Sequence, residues 1–75
     1  MFFQRLEDLR TDADKTQEEI ANVLSCKREV YRSYEKGIYE LPAWAAIKLA
    51  LYYNTSTDYI FGLTNVRHPY HRQDP

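Results

Sequence analysis

The sequence has little cysteine or glycine and no long apolar run, and each shortage excludes a class of protein. Cys26 is the one cysteine, so no intrachain disulfide can form, and a reducing cytoplasm is the expected compartment. The amino end, MFFQRLEDLR, interrupts its apolar residues with charges almost at once, so we expect neither a signal peptide nor a membrane span. The sequence shows no glycine-rich phosphate loop and no nucleophile beside an oriented base. It therefore predicts no enzymatic activity and no cofactor.

Apolar residues are nevertheless frequent enough for a folded protein. The chain has 75 residues, of which 44% are hydrophobic and 15% aromatic. This composition favours a globule over a disordered segment, and the length limits it to one small domain with a modest core.

Positive charge is local in this chain, although the formal net charge is only -1. Four of the ten basic residues lie in CKREVYRSYEKG, residues 26–37. Residues 25–36 carry a net +2, whereas residues 1–24 carry -3. Such a run is either a nucleic-acid patch on an acidic protein or a solvated helix face, and charge alone leaves both interpretations open.

Apolar residues at one-turn spacings predict five short helices, and no strand alternation competes with them. The second helix has a specific start signal, because Thr16 followed by Glu19 forms a capping box in which each side chain satisfies a backbone donor of the other residue. The predicted buried residues are Phe2 or Phe3 with Leu6 and Leu9 in the first helix, and Ile20, Ala21 and Leu24 in the second.

The third helix is predicted from about residue 27 to 35 and ends before Gly37, which can adopt a left-handed cap conformation. On a helical wheel of 3.6 residues per turn, one side is apolar and the opposite side is mostly charged. The apolar side holds Val30, Tyr31 and Tyr34, and the opposite arc holds Arg28, Glu29, Arg32, Ser33 and Lys36.

The fourth helix, about residues 42–53, is apolar nearly all round. Pro42 suits its first turn because a proline there loses no helical hydrogen bond. One stripe, which is enough for a core, holds Ala46, Leu49, Ala50 and Tyr53, and a second holds Trp44, Ile47 and Leu51.

A fifth helix is predicted from Ser56, a good N-cap, with Asp58 in its first turn, to an end at Gly62. Residues 64–75 are polar and lack periodicity, so we expect a domain at 1–63 and a loose polar C-terminal tail at 64–75. His68 and His71 lie in this tail without a third ligand, and no metal site is predicted.

The run TQEEIANVLSCKREVYRSYEKG, residues 16–37, resembles the helix-turn-helix of the Cro and XRE-type repressor family. LPAWAAIKLALYYNTSTDYIFGLT, residues 41–64, is similar to the fourth and fifth helices of the same family. The resemblance implies an all-α, compact five-helix domain with the helix-turn-helix at helices 2 and 3. In this arrangement the third helix enters the DNA major groove and the second lies across the backbone.

The resemblance also implies roles for single residues. It assigns base contacts to Arg28, Glu29, Arg32 and Ser33, a phosphate contact to Gln17, and a structural ion pair to Arg10 and Glu35. Lys27 and Lys36 are expected to meet phosphates, which fix register without reading sequence. Glu29 could accept a hydrogen bond from cytosine or merely stabilise the helix start, and these two readings remain open.

Two positions depart from the family pattern. Ser25 stands where the turn usually has glycine, so either a strained turn or a left-handed serine at some energetic cost is expected. Lys27 stands where serine or threonine commonly caps helix 3, which weakens that helix start.

The functional prediction is therefore a sequence-specific double-stranded DNA-binding regulator, most simply a repressor, acting as a homodimer on a palindromic operator. The alternative is a protein-interaction module, such as an antitoxin or modulator that binds a protein with the same fold. Neither a small-molecule effector nor a membrane is expected as a partner. The predicted dimer interface comprises Trp44, Ile47 and Leu51 with Tyr59, Ile60 and Phe61, and the competing view is that the second stripe is core packed against helix 1 or helix 5.

Overall fold

Five helices make up the part of the chain that the structure, a computed structural model, describes, residues 4–68. No strand occurs in this range. The all-α fold with a helix-turn-helix at its second and third helices is therefore confirmed. Phe2, Phe3 and His71 lie outside the described residues. The helices are α1 (Gln4–Asp12), α2 (Gln17–Val23), α3 (Arg28–Glu35), α4 (Ala43–Tyr53) and α5 (Thr57–Ile60).

The helix starts follow the local sequence signals. The Thr16 hydroxyl accepts from the Glu19 backbone N–H at 3.1 Å, and the Thr16 N–H donates to the Glu19 carboxylate at 3.0 Å, so the predicted capping box is present. Ser56 caps α5 by accepting from the Tyr59 N–H at 3.0 Å. Pro42 lies one position earlier than predicted, as the N-cap of α4 rather than in its first turn.

The core forms where the five helices meet, and it contains most of the described residues that periodicity selected, whereas Val30 is half-buried against it. Sequence periodicity missed Ala45 and Leu41, which are also buried. Tyr53 is half-buried against the core. The buried hydrophobic residues are Leu6, Leu9, Ile20, Ala21, Leu24, Tyr31, Tyr34, Leu41, Ala45, Ala46, Leu49, Ala50 and Ile60.

The second stripe of α4 is not core in this chain. Trp44 and Ile47 are each 54% exposed and Leu51 is 79% exposed, so neither α1 nor α5 covers them. Ile60, in contrast, is buried although it was predicted to be part of an interface. It was predicted in the dimer interface but is 1% exposed and belongs to the core, because α5 turns it inward, so it is removed from the predicted interface.

Residues 64–67 contact the helical body. The Arg5 guanidinium donates to the Thr64 carbonyl at 2.9 Å and to the Asn65 side-chain oxygen at 2.8 Å. Arg67 pairs with Asp12 at 2.7 Å, and the Thr55 hydroxyl donates to the Arg67 carbonyl. The predicted domain boundary after residue 63 stays a prediction, but the description of a loose tail is wrong for Thr64, Asn65 and Arg67.

Candidate nucleic-acid interface

The outer face of α3 is open to solvent along its whole length. Arg28, Glu29, Arg32 and Lys36 are exposed, and Ser33 is partly exposed. The opposite side is anchored, because Tyr31 and Tyr34 are buried in the core. The fold thus presents as one surface the polar side chains that the helical wheel grouped together.

The turn between α2 and α3 is held by backbone bonds and one left-handed residue. Ser25 has φ 56°, the conformation expected where the family pattern has glycine, and an L-residue adopts it at a cost in strain. The Cys26 N–H donates to the Ala21 carbonyl at 2.9 Å, which closes the turn. Cys26 is half-buried, and burial raises the pKa of its thiol, so the fold does not activate it as a nucleophile.

Lys27 is the N-cap of α3, and its side chain makes no capping hydrogen bond. The start of α3 therefore leaves backbone donors without a side-chain acceptor, and an exposed ammonium lies beside them. A phosphate oxygen suits both groups.

A buried carboxylate fixes the far end of α3. Glu35 is 1% exposed and is the last residue of the helix. Its Oε2 lies 2.6 Å from Arg10 Nε, and its Oε1 accepts from Arg10 Nη2 at 3.3 Å and from Gln17 Nε2 at 3.2 Å. One carboxylate thus ties α1, α2 and α3 together. The structure contains the expected pair of Arg10 with Glu35 and adds a partner, Gln17, that sequence reasoning missed.

Glu35 remains charged in spite of its burial. Burial alone would raise the pKa of the carboxyl, but hydrogen bonds, first from Arg10 and then from Gln17, outweigh it and hold the pKa below its usual value. The Tyr31 hydroxyl is buried near this carboxylate without a hydrogen bond of normal geometry. Burial and the neighbouring charge raise the pKa of Tyr31. The Glu35 bond also raises the pKa of Arg10.

Three cations of α3 and its start, Lys27, Arg28 and Arg32, are not neutralised by neighbouring carboxylates that the structure describes. The ion pairs among residues 4–68 join Arg10 to Glu35, Lys15 to Glu19 and Arg67 to Asp12. Within that range, none involves Lys27, Arg28 or Arg32. Their charges are therefore available to an anionic partner.

Gln17 has a structural contact in addition to its predicted one. Its side-chain amide donates to Glu35, so the part of the amide bonded there is directed toward the protein. The residue nevertheless stands at the first turn of α2, beside the Thr16 cap. The phosphate contact of Gln17 stays a prediction, and in the structure Gln17 links α2 to α3.

The loop after α3 adds surface to which the sequence patterns assigned no role. The N–H groups of Ile38 and Tyr39 donate to the Ser33 carbonyl at 2.9 and 3.2 Å, folding the loop onto the end of α3. Ile38 and Tyr39 are exposed, and the Tyr39 ring stands edge-on to Tyr34 at 6.4 Å. These backbone bonds depend on the turn at Gly37, which has φ 73°. In the sequence, this glycine was the feature that could have indicated the turn.

A separate exposed surface lies on α4 and just after α5. Trp44, Ile47 and Leu51 occur at one-turn spacings on α4, and Phe61 is 37% exposed. Tyr59, predicted in the same surface, is half-buried, and the Arg5 guanidinium lies 4.1 Å from the centre of its ring. One face of Tyr59 is therefore covered from within the chain.

Neither a membrane-spanning helix nor a metal site is found among residues 4–68. The longest helix, α4, has 11 residues, and no helix here has the length and apolarity needed to cross a bilayer. Across the same stretch, no three His, Cys, Asp or Glu side chains are grouped so as to hold a metal ion.

Known proteins share this sequence pattern. The helix-turn-helix family model matches residues 6–60. The chain is 38% identical over 53 residues to the cryptic phage CTXphi transcriptional repressor RstR of Vibrio cholerae, covering 71% of this chain and 48% of that protein. It is 35% identical over 65 residues to the uncharacterized HTH-type transcriptional regulator YobD of Bacillus subtilis, covering 87% of this chain and 58% of that one. The chain thus spans about half the length of the curated relatives that it matches. No solved structure matches it.

Proposed function

This chain belongs to the helix-turn-helix family, as its resemblance to Cro and XRE-type repressors predicted, and on that premise we propose that it is a sequence-specific repressor of transcription. It binds duplex DNA as a homodimer on a two-fold-related operator. Neither relative bears the name of an enzyme.

The observation that carries this proposal is the pair of exposed guanidinium groups on the outer face of α3. Arg28 and Arg32 are exposed and form no ion pair among residues 4–68. A guanidinium offers two parallel donors that match guanine O6 and N7, and such a contact discriminates by roughly 1–3 kcal/mol. The helix enters the major groove with Arg28, Glu29, Arg32 and Ser33 toward the bases, while Gln17, Lys27 and Lys36 contact phosphates.

Rigid placement of α3 supports base reading. The Glu35 carboxylate accepts hydrogen bonds from α1 and α2 while belonging to α3, so the recognition helix cannot shift without breaking a buried ion pair. Base-edge hydrogen bonds need such fixed positions, because their strength falls steeply when the donor is misaligned.

The homodimer is proposed because α3 alone is short and contacts only a few base pairs. One helix of eight residues reads only a few base pairs, whereas two such helices about 34 Å apart meet successive major-groove faces of one operator. The exposed residues Trp44, Ile47, Leu51 and Phe61 form the two-fold contact, with Tyr59 at its edge.

Repression is the simplest mode of regulation for this chain. The relative RstR is named a transcriptional repressor, and a dimer seated on an operator excludes other proteins from the same duplex. Occupancy is then set by protein concentration and operator affinity.

Binding to a random-sequence duplex pool at several salt concentrations tests the proposal. Lys27 and Lys36 from two copies give four phosphate contacts, so the slope of log affinity against log salt should be about -3.6. Lys27→Ala should make the slope shallower by about 1.8. Lys48→Ala, which removes an exposed lysine of α4, is the matched control and should leave it unchanged. Absence of duplex binding at low salt would overturn the proposal.

The exposed apolar surface of α4 favours one second candidate, a protein-interaction module that binds another protein through Trp44, Ile47 and Leu51. A hydrophobic interface of this kind shows little dependence on salt. The same salt titration therefore separates the two candidates.

A further inference from the structure

The Ser33 hydroxyl can act only as a hydrogen-bond acceptor on the outer face of α3. Its hydroxyl donates to the carbonyl of Glu29, one turn earlier, at 2.9 Å. A hydroxyl has one hydrogen and two lone pairs. The hydrogen is used within the helix, so Ser33 presents only an acceptor to any ligand on the outer face.

Arg28, Glu29 and Arg32, on the same face, each also act only as a donor or only as an acceptor of hydrogen bonds. An ionised carboxylate only accepts and a guanidinium only donates, so Glu29 is an acceptor and Arg28 and Arg32 are donors. None of the three is paired with an ionic partner inside the described range.

Helix geometry sorts the four residues into two matched pairs. Adjacent positions lie about 100° apart around the axis and about 1.5 Å apart along it, so Arg28 stands beside Glu29, and Arg32 beside Ser33, at nearly the same height. The second pair lies four positions after the first, about 6 Å along the helix. This spacing covers between one and two base-pair steps of about 3.4 Å.

A G·C pair presents the complementary pattern in the major groove. Guanine offers two acceptors, O6 and N7, to a guanidinium, and cytosine offers a donor, its N4 amino group, to an acceptor. An A·T pair offers no base with two adjacent acceptors. A donor and an acceptor side by side at one height therefore fit the two bases of one G·C pair.

From this arrangement, and resting on the proposed function, we infer that each half-site contains two G·C pairs with both guanines on the same strand. Arg28 and Glu29 read one pair, and Arg32 and Ser33 read the other, one or two steps away. Both donors precede their acceptors in the same sense around the helix, which places the two guanines on one strand.

Glu29 acts mainly by disfavouring base pairs that offer no hydrogen-bond donor to it. A carboxylate facing a guanine or thymine edge finds no hydrogen-bond donor there, so its charge disfavours any base pair without a donor at that place. Removing Glu29 should therefore widen the range of bound sequences more than it weakens binding to the preferred one.

Selection from a random duplex pool by the parent and four alanine variants tests the inference. The parent should select half-sites with two guanines on one strand at the stated spacing. Arg28→Ala and Glu29→Ala should relax preference at the same base pair, and Arg32→Ala and Ser33→Ala at the other. On the preferred duplex, each arginine variant should bind roughly 5- to 150-fold more weakly, and Ser33→Ala roughly 2- to 10-fold more weakly.

Controls separate folding, function and base reading. All four substitutions are at exposed or partly exposed helix positions, where alanine favours the helix, and circular dichroism verifies that the variants are folded. Lys27→Ala should weaken every sequence about equally. No selected duplex at all would overturn the proposed function. Selected half-sites with fewer than two G·C pairs, or paired variants that relax different base pairs, would overturn this inference and leave the proposed function standing.

Discussion

Arg10 on α1 and Glu35 at the end of α3 form a short ion pair, with Nε 2.6 Å from Oε2. The two residues are 25 positions apart in sequence, and their side chains are only 15% and 1% exposed. Arg10 also donates to the Lys15 carbonyl at 3.0 Å, so the same guanidinium holds the chain where it enters α2. The pair thus fixes the position of α3 relative to the rest of the domain.

Breaking this pair should destabilise the fold far more than breaking an exposed one. Glu35→Ala or Arg10→Ala leaves its partner without compensation and should cost roughly 3 kcal/mol. Asp12→Ala breaks the exposed pair with Arg67 as a matched control and should cost under about 1 kcal/mol. Urea unfolding measures both, and a double-mutant cycle that shows no coupling between Arg10 and Glu35 would contradict the assignment.

Acid should remove the contribution of Glu35 to stability. Its pKa is lower in the folded chain than in the unfolded one, so its stabilisation is present above the unfolded value of about 4.3 and is lost as pH falls through the folded value. The free energy of unfolding, measured from pH 6 to pH 2, should fall less steeply in Glu35→Gln than in the parent.

Glu19 also contributes to this acid dependence, because hydrogen bonds from Thr16 lower its pKa. It is present in both the parent and Glu35→Gln, so their difference reports Glu35. Glu18→Gln, at an exposed residue of α2, is the control. An equal pH slope in the parent and Glu35→Gln would show that Glu35 is not held charged by the fold.

Ser25→Gly should stabilise the domain. Relief of left-handed strain, about 1–2 kcal/mol, exceeds the entropy cost of glycine, about 0.5–1 kcal/mol, so unfolding should require about 0.5–1 kcal/mol more. For a chain of this size the rise in Tm is then about 2–8 °C. Ser33→Gly makes the same change inside α3 and should lower Tm instead. A Tm that falls with Ser25→Gly would exclude strain at the turn.

Leu51→Lys should separate the proposed homodimer into folded monomers. Leu51 is 79% exposed, so the substitution should leave the core intact while placing a charge in the proposed two-fold contact. Ile38→Lys alters a residue that is also well exposed, at 65%, but outside that contact, and should leave the mass unchanged. Light scattering gives the mass and circular dichroism the helical content. A Leu51→Lys protein that still dimerises would place the interface elsewhere.

Arg5→Ala should release the segment after α5. Arg5 donates to the Tyr59 carbonyl at 3.2 Å as well as to residues 64 and 65, and its loss removes three bonds across more than 50 positions of sequence. Trypsin should then cleave after Arg67 faster than in the parent. Arg28→Ala, which removes an exposed arginine of α3, controls for the number of other cleavage sites, and an unchanged rate in Arg5→Ala would show that other contacts hold the segment.

Local signals explain how much of this fold could be predicted. The capping box at Thr16, the cap at Ser56 and the glycines at 37 and 62 each act on residues within one turn, so their patterns can be interpreted without the fold. The burial of Tyr31 and Tyr34 follows from periodicity for the same reason. The candidate site was predictable to this extent, because a wheel of α3 alone places its cations opposite those tyrosines.

Other features required the packed chain. Ile60 and Phe61 are neighbours with similar hydrophobicity, yet one is 1% and the other 37% exposed, because the angle at which α5 docks decides which of them faces the core. The second stripe of α4 could equally have been core or surface until the positions of α1 and α5 were fixed.

The sequence by itself determined the helices, their ends, the inner and outer faces of α3 and the family of the chain, because these depend on residue type and on spacing within a few positions. Only the tertiary structure decided that Gln17 donates a hydrogen bond to Glu35 and that Ile60 lies in the core. It also decided that the second stripe of α4 stays exposed, that Arg5 binds Thr64, and that Asp12 binds Arg67. Each of these depends on contacts made or missing between residues distant in sequence. Such contacts exist only after the helices have packed, and no local pattern specifies them.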